Sequence, residues 1–530
     1  MVNWEEWICV RFPLLIELSI TNCPKLKGTL PQHLPSLQKL NISGCKELEE
    51  WLCLEGFLSL KELYISHCSK FKRVLPQLLP HLPSLQKLRI NDCNMLEEWL
   101  CLGEFPLLKD ISIFKCSELK RALPQHLPSL QKLEIRDCNK LEASIPKCDN
   151  MIELDIRRCD RILVNELPTS LKKLVLSENQ YTEFSVEPNL VNYTILDELN
   201  LDWSGFVKCP SLDLCCYNSL GDLSIKGWHS SSLPLELHLF TKLHYLYLYD
   251  CPELESFPMG GLPSNLRSLK IYNCPKLIGS REEWGLFQLS SLLEFSVSDE
   301  FENVESFPEE NLLPPTLMFL HLYKCSKLRK MNNKGFLHLK SLKSLSINNC
   351  PSLENLLEEA LHLFTKLDFL YLVDCPELDS FPEGGLPPNL SSFGIYNCPK
   401  LIGSREEWGL FQLNSLKSFF VTDEFENVES FPEENLLPST LETLYVENCS
   451  KLRIMNNKGF LHLKSLKAMR IFSCPSLERL PEKEALPNSL DELWIDDCLI
   501  IKEKYEKEGG ERWHTICHIP RVLIDGIRPE

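Results

Sequence analysis

The chain has 530 residues, 44% of them hydrophobic, so it carries enough apolar side chains to bury a large core. Its 74 acidic residues outnumber its 56 basic ones, and the net charge of −18 argues against nucleic acid or an anionic membrane surface as a partner. The sequence contains no apolar run long enough to span a membrane, and the acidic Glu5 and Glu6 do not fit a secretory signal peptide.

One pattern recurs from near the first residue to near the last, and it is clearest at Leu367–Leu390. Leu367, Leu370 and Leu372 follow the spacing L-x-x-L-x-L, and Cys375 comes three residues later. The period of two predicts a short strand with its leucines buried and Tyr371 facing out. This is the leucine-rich-repeat pattern. It predicts an α/β repeat solenoid, a horseshoe with a parallel β-sheet on its concave face and a mostly irregular, proline-rich convex side with a few short helices.

The repeats divide the chain into a solenoid and a short end piece. The pattern can be followed through about 21 repeats over residues 1–500, with a mean spacing near 24 residues. Residues 179–222 form the irregular part of the array, where the cysteine after the strand is lost. Residues 501–530 fall outside the pattern and predict a C-terminal cap and tail.

Cysteine is unusually frequent, and 16 of the 24 cysteines occupy the bend position that follows the strand. This regularity predicts small buried side chains whose thiols hydrogen-bond to the backbone at the bend. Neighbouring strands are roughly 4.8 Å apart, so disulfides between them are the alternative. A reducing cytosol favours free thiols.

Outward-facing positions in the first part of the predicted sheet are rich in basic residues. The pattern places five side chains on the same concave surface: Arg89, Lys115, Arg136, Arg157 and Arg158. The sequence therefore predicts that the concave face is basic towards its N-terminal end.

The array contains an internal duplication, because residues 237–354 reappear as residues 361–478, shifted by 124 positions. Core and bend residues are retained while several outward residues change. Lys270 corresponds to Gly394 and His321 to Tyr445. A constant scaffold with a changing surface suits the recognition of partners, although neutral drift at solvent positions would give the same pattern.

The later strands carry a row of aromatic side chains at outward positions: Tyr247, Tyr249, Tyr272, Tyr323, Tyr371, Tyr396, Phe420, Tyr445, Phe472 and Trp494. Aromatic residues are enriched at interface hot spots, so the row predicts a partner-binding surface on the concave face. Lateral packing of the rings along the sheet, without any partner, is the competing interpretation.

The sequence predicts neither catalysis nor a metal site. It contains no phosphate-binding loop, no nucleophile elbow and no zinc-protease motif. His514, Cys517 and His518 lack a second ligand pair, and the repeated carboxylates of residues 301–314 and 425–438 are expected to be solvated bends. We therefore expect no catalytic residues and no cofactor.

Several stretches resemble the C-terminal leucine-rich-repeat region of plant intracellular disease-resistance proteins of the coiled-coil, nucleotide-binding type. They are WEEW (residues 4–7), LIELSITNCPKLKGTLPQHLPSLQKLNISGC (15–45), FPxGGLPxNL with YNCPKL (257–277 and 381–401) and EKEGGERWHTICHIP (506–520). No nucleotide-binding or coiled-coil sequence is present, so the resemblance implies an N-terminally truncated chain.

The resemblance implies a cytoplasmic protein-recognition module of plant innate immunity. Its partner would be a pathogen effector or a guarded host protein and, in a full-length receptor, the receptor's own nucleotide-binding domain. The alternatives are an F-box-type substrate receptor, a free-standing protein-binding scaffold and an extracellular ectodomain.

Overall fold

The computed structural model describes residues 12–27, 34–48, 57–70, 82–97, 105–120, 123, 126–185, 194–207, 219–233, 237–257, 261–279, 281–298, 304–357, 361–381, 385–403, 405–422, 428–506 and 510–526. The chain divides into two compact units. Unit 1 comprises residues 1–254 and 258–263, and unit 2 comprises residues 255–257 and 264–530.

Unit 1 is a parallel β-solenoid. Its strands are β1 (Glu17–Thr21), β2 (Lys39–Ser43), β3 (Glu62–Ser66), β4 (Lys87–Asn91), β5 (Asp110–Phe114), β6 (Lys132–Ser144), β7 (Glu153–Val164), β8 (Lys173–Ser177), β9 (Tyr181–Phe184), β10 (Glu198–Asp202), β11 (Asp222–Lys226) and β12 (Tyr245–Tyr249). Successive strands pair in parallel, except that β9 pairs with the second half of β7 while β8 pairs with β10. Single 3-10 turns occupy Trp203–Gly205 and Leu237–Leu239.

Unit 2 repeats the same architecture. Its sheet contains β13 (Ser268–Tyr272), β14 (Glu294–Ser298), β16 (Phe319–Tyr323), β18 (Ser344–Asn348), β19 (Phe369–Val373), β20 (Ser392–Tyr396), β21 (Ser418–Thr422), β23 (Thr443–Glu447), β25 (Ala468–Phe472), β26 (Glu492–Asp496) and β27 (Arg521–Ile524). All of these neighbours pair in parallel. Two-residue strands pair separately as β15 (Ser306–Phe307) with β17 (Lys330–Met331) and β22 (Ser430–Phe431) with β24 (Ile454–Met455).

The helices of unit 2 are short. They are α1 (Pro275–Gly279), α2 (Asn333–Phe336), α3 (Pro399–Gly403), α4 (Asn457–Phe460), α5 (Leu499–Tyr505) and α6 (Trp513–Ile516), with 3-10 turns at Arg281–Trp284, Leu286–Gln288, Leu361–Leu363, Arg405–Glu407 and Leu410–Gln412. The predicted parallel solenoid with few short helices is confirmed.

Alternation along each strand builds the core. In β19, Leu370 and Leu372 are 0% exposed, whereas Phe369 is 37% exposed and Tyr371 is half-buried. Burying one leucine contributes about 2 kcal/mol, and the same arrangement recurs in strand after strand. The side chains that point away from this core form what we call the strand face.

The bend after each strand has a common geometry. The residue before the bend cysteine adopts a left-handed backbone, with φ of 52° at Asp374 and 49° at Asn397. This turns the cysteine inward, where the Cys375 thiol donates to the Val373 carbonyl oxygen at 3.4 Å. The predicted thiol–backbone hydrogen bond is thereby confirmed. The cysteines within the described residues are free, and Cys517 is the exposed one among them.

Where the bend cysteine is missing at position 179, an asparagine replaces its function. Asn179 is buried, accepts from the Cys159 backbone N–H at 3.1 Å and donates to the Ile156 carbonyl oxygen at 3.2 Å. Strands β8, β10 and β11 on this part of the chain pair in regular parallel register. Cys209, Cys215 and Cys216, which depart from the pattern, lie outside the described residues.

The chain after the last bend cysteine packs onto the end of unit 2. Helix α5 buries Ile501 and Tyr505, and the Tyr505 hydroxyl oxygen accepts from the Leu480 backbone N–H at 3.0 Å. Strand β27 then pairs with β26 through residues Arg521–Ile524.

Candidate interaction surface

Six aromatic side chains on consecutive strands of unit 2 make an aromatic band. Its members are Tyr371 (β19), Tyr396 (β20), Phe420 (β21), Tyr445 (β23), Phe472 (β25) and Trp494 (β26), and each is half-buried on the strand face. Ring centroids are 6.4 Å apart between Tyr371 and Phe420 and 5.8 Å between Phe420 and Tyr445. The row continues at 5.2 Å from Tyr445 to Phe472 and at 5.3 Å to Trp494.

The sequence left open whether the aromatic rings pack against one another or remain exposed, and the structure shows both. The rings pack laterally, which fixes their positions, and each still exposes part of its surface. An ordered row of rings presents a large contact area whose side-chain entropy is already reduced.

Gly394 allows the first two tyrosines of the band to pack. A Cβ at this position would lie 2.6 Å from Cδ1 of Tyr371 and 2.8 Å from Cε2 of Tyr396. The two rings thus occupy the space that a side chain at residue 394 would take. The Tyr371 hydroxyl hydrogen-bonds to Ser392 Oγ at 2.8 Å and holds its ring over the glycine.

Two hydroxyls of the band are shifted towards the neutral form. Burial, with smaller contributions from neighbouring tyrosines and Glu447, raises the pKa of Tyr396 to about 12. Burial and Glu447, which accepts a hydrogen bond from the Tyr445 hydroxyl at 3.1 Å, raise the pKa of Tyr445 to about 12. Both side chains are therefore neutral hydrogen-bonding groups at physiological pH.

The remaining predicted tyrosines lie in two smaller groups. Tyr272 and Tyr323 in unit 2 are 6.0 Å apart, and His321 stacks on Tyr323 at 6.3 Å. Burial lowers the pKa of His321, against the opposing effect of Glu294. In unit 1, Tyr247 and Tyr249 are half-buried on β12, and Tyr247 lies 6.4 Å from Tyr245.

The predicted basic residues are mostly neutralised by ion pairs. Arg136 Nη2 contacts Glu134 Oε1 at 2.6 Å and Asp155 Oδ2 at 2.8 Å, and Arg157 Nε donates to Asp155 Oδ1 at 2.7 Å. Asp155 is 2% exposed. The hydrogen bond from Asp155, opposed by desolvation, raises the pKa of Arg157. Arg89 is exposed and lies 5.1 Å over the Phe114 ring.

Arg158 does not share the orientation of Arg157, in contrast to the expectation. Its φ of 51° places it at the bend, and Lys115 has the same φ. Arg158 pairs with Asp137 and, at 3.0 Å, with Glu178, so it belongs to a row of ion pairs along the bends. Successive strand residues point to opposite faces, and the left-handed backbone at Arg158 turns its side chain to the bend, so the two adjacent arginines do not share a surface.

Three side chains near the band were not predicted as site residues. Glu447 and Asp496 lie on the strand face beside the rings, and Asp497 is exposed at the following bend. Their positions in the repeat are the same as those of predicted residues. The repeat pattern alone is therefore sufficient to place these acidic residues beside the band.

The structure provides no arrangement for metal chemistry within the described ranges. No group of three or more His, Cys, Asp or Glu side chains there could hold a metal ion. The exposed Cys517 donates its thiol to the His514 carbonyl oxygen at 3.4 Å. None of the helices in the described parts of the chain combines the length and apolarity needed to cross a membrane.

The chain is similar to several solved structures at sequence identities of 15% to 20%. The plant peptide hormone receptor RGFR1 in complex with RGF2 shares 16% identity, covers 97% of this chain and 79% of its own, and has a TM-score of 0.41. The TLR13–ssRNA13 complex shares 15% identity over 94% and 90%, with a TM-score of 0.44. YopM from Yersinia enterocolitica shares 20% identity over 91% of both chains, with a TM-score of 0.38.

Sequence comparison identifies relatives in Arabidopsis thaliana. A protein named as a disease resistance protein is 29% identical over 275 residues, which cover 47% of this chain and 19% of the relative. A disease resistance RPP13-like protein is 47% identical over 53 residues, which cover 9% of this chain and 5% of the relative. No protein-family model matches the chain. The resemblance inferred from the sequence motifs is confirmed: the chain is a leucine-rich-repeat solenoid related in sequence to plant disease resistance proteins.

Proposed function

We propose that the chain is a protein-recognition module of plant innate immunity that binds a pathogen effector, or a host protein altered by one, through the aromatic band. The observation that carries the proposal is the internal duplication. The two copies keep the same buried contacts while most residues of their strand faces differ: Ser296 corresponds to Phe420, and Tyr323 corresponds to Glu447.

The chemistry of the band supports a protein ligand. Tyrosine, phenylalanine and tryptophan supply apolar contact area, and the tyrosine hydroxyls add hydrogen-bonding groups at the rim. A flat row of rings on a sheet lacks the enclosed shape of a small-molecule pocket. The module acts by binding, without catalysis.

A cytoplasmic setting fits the free thiols. Bend cysteines stacked on neighbouring strands would be exposed to oxidation in a secreted protein whenever a repeat opens, and a reducing compartment avoids this. The related proteins are far longer than the matched region. In a receptor of that length, the repeats would also contact a nucleotide-binding domain and restrain it until a ligand arrives.

Affinity capture from infected leaf tissue tests this proposal. The tagged full chain is compared with a band variant, Phe420→Ser with Tyr445→His and Phe472→Asn, in which each new residue is the one that the first copy carries at the matching position. We expect the band variant to lose at least about tenfold in capture of its partner, since several hot-spot rings are removed together.

The matched control changes exposed leucines away from the strand face. Leu337→Ala with Leu461→Ala alters side chains that are 54% and 62% exposed at equivalent places in the two copies. A captured protein counts when it is encoded by the pathogen or when its capture rises on infection. Equal capture by the band variant, the control and the parent chain would refute the proposal, provided that circular dichroism shows all three folded.

A further inference from the structure

The last strands of unit 2 align two carboxylates on either side of one aromatic ring. In the parallel register, Glu447 on β23 is opposite Phe472 on β25, and Phe472 is opposite Asp496 on β26. Adjacent strands are roughly 4.8 Å apart, so the two acidic residues lie two strand spacings apart with the phenyl ring between them.

Two further rings complete this arrangement. The Tyr445 ring stacks on Phe472 at 5.2 Å with an interplanar angle of 29°, and Trp494 meets Phe472 edge-on at 5.3 Å. We call the five residues Tyr445, Glu447, Phe472, Trp494 and Asp496 the acid–aromatic box. Three rings form its floor, Arg470 lies between Tyr445 and Trp494 in the register, and the two carboxylates flank Phe472.

The carboxylates of the box have no basic partner among the described residues, whereas other carboxylates on the strand face of unit 2 do. Glu294 pairs with Lys270 at 2.8 Å, and Glu492 pairs with Arg470 at 3.1 Å and Arg521 at 3.2 Å. Glu447 instead accepts from the Tyr445 hydroxyl.

Asp496 lies in a locally acidic environment. Burial, followed by the effects of Asp525 and Asp497, raises the pKa of Asp496. The nearby Lys502 contacts Asp525 at 2.5 Å and so compensates one of these three charges. Arg470 pairs with Glu492, so a second cation placed beside Phe472 would meet the carboxylates of Glu447 and Asp496, which no described basic residue pairs.

The chain already holds one guanidinium in this chemical setting. The Arg470 guanidinium lies 5.8 Å from the Trp494 ring centroid and pairs with Glu492. A ring face and a carboxylate together hold this cation on the strand face. Cation–π contacts of this kind are worth about 0.5–2 kcal/mol.

We propose that the acid–aromatic box binds an arginine or lysine side chain presented by a basic segment of the partner protein. This inference rests on the proposed function and adds the chemistry of the bound segment. Phe472, Tyr445 and Trp494 contact the aliphatic stem and the face of the cation, and Glu447 and Asp496 accept its hydrogen bonds. The first copy lacks the box, because Tyr323 and Asn348 occupy the positions of Glu447 and Phe472.

Fluorescence anisotropy with two labelled twelve-residue peptides tests the proposal on the full chain. One peptide alternates arginine and serine, and the other alternates glutamate and serine. The box variant is Glu447→Gln with Asp496→Asn, which preserves side-chain shape and removes two charges. The charge control is Glu310→Gln with Glu484→Gln, which removes two exposed charges outside the strands.

We expect the arginine peptide to bind the parent chain and the charge control with affinities within about twofold, and the box variant at least about tenfold more weakly. Phe472→Asn should weaken the same peptide, and the glutamate peptide should not saturate. Equal weakening by the box variant and the charge control would overturn the proposal, since attraction would then come from net charge alone. Binding of the glutamate peptide with similar affinity would also overturn it.

The outcomes separate this inference from the proposed function. If the band variant loses its captured plant or pathogen protein while the peptides fail to distinguish the box variant from the charge control, the inference fails and the function stands. If the arginine peptide depends on the box but capture is unchanged in the band variant, the function fails and the box remains a cation site.

Discussion

Within unit 2, the corresponding parts of the two duplicated segments share several supporting contacts. His338 Nε2 lies 2.7 Å from the Leu313 carbonyl oxygen in the first copy, and His462 Nε2 lies 2.6 Å from the Leu437 carbonyl oxygen in the second. Each histidine ring also meets a phenylalanine ring edge-on at 5.4 Å. Helices α2 and α4 have the same asparagine cap, with an acceptor distance of 3.1 Å in both.

The strand faces of the same two copies have diverged. Strands β13, β14, β16 and β18 correspond to β20, β21, β23 and β25, and of their 12 outward positions only Ser268/Ser392 and Tyr272/Tyr396 are identical. Core positions tolerate few changes because interiors are close-packed, whereas the outward positions are less restricted, even where neighbouring side chains cover them, as at Ser296. The comparison shows that the fold constrains one side of each strand and leaves the other free to acquire binding chemistry.

The largest expected loss of stability comes from replacing one buried glycine in each copy. A Cβ on Gly335 would lie 2.1 Å from the Pro308 carbonyl oxygen, and a Cβ on Gly459 would lie 2.3 Å from the Pro432 carbonyl oxygen. Backbone atoms cannot move away easily, so we expect Gly335→Ala and Gly459→Ala each to lower the free energy of unfolding by about 3 kcal/mol in urea titrations. The exposed Lys458→Ala serves as the control. A loss confined to one copy would show that the scaffolds are not equivalent.

A second test addresses an ion pair that both copies retain. Arg281 pairs with Glu309 and Arg405 pairs with Glu433, and the arginine side chains are only 15% and 16% exposed. Removing one partner leaves a largely buried charge, so Arg281→Met or Arg405→Met should cost about 2 kcal/mol. Double-mutant cycles with Glu309→Gln and Glu433→Gln measure the coupling in each copy. Coupling energies that differ by more than about 1 kcal/mol would contradict equivalent support.

The smallest expected effect concerns His321 and Tyr445, which occupy matching strand-face positions in the two copies. Their titrations should lower the stability at opposite ends of the pH scale. The pKa of Tyr445 is about 12 against an ordinary value of 10.0, so the unfolded chain loses this proton first and stability falls as pH rises from about 10 to about 12. The pKa of His321 is lowered from 6.5, so the unfolded chain binds a proton more readily and stability falls as pH drops below about 6.5.

These titrations can be measured directly. Tyr445→His should remove one absorbance transition near pH 12 at 295 nm, and the ring proton shifts of His321 should titrate below pH 6.5. A His321 that titrates above its ordinary value, or a tyrosine absorbance curve that Tyr445→His leaves unchanged, would remove this distinction between the copies.

The sequence was sufficient to predict the strands and their buried sides, but it did not predict the side-chain contacts between neighbouring strands. Alternating leucines identified the buried side of β19, and the regular cysteines identified the bend. Equivalent repeat positions pair across strands, so the spacing gives the register, but the direction in which a long side chain reaches across it requires the structure. Arg136 therefore looked like a free basic residue, although Asp155, 19 residues later, neutralises it. The alignment of Glu447, Phe472 and Asp496, by contrast, follows from their equivalent positions in three successive repeats.

The stacked bend thiols also provide a chemical record of local opening. Burial raises the pKa of the Cys68 and Cys93 thiols to about 12, so alkylating reagents at neutral pH find almost no thiolate there until a repeat opens. Each labelled cysteine reports the opening of its own repeat. Pulse alkylation followed by peptide mass spectrometry would therefore show which repeats open first and which open last, without any introduced probe.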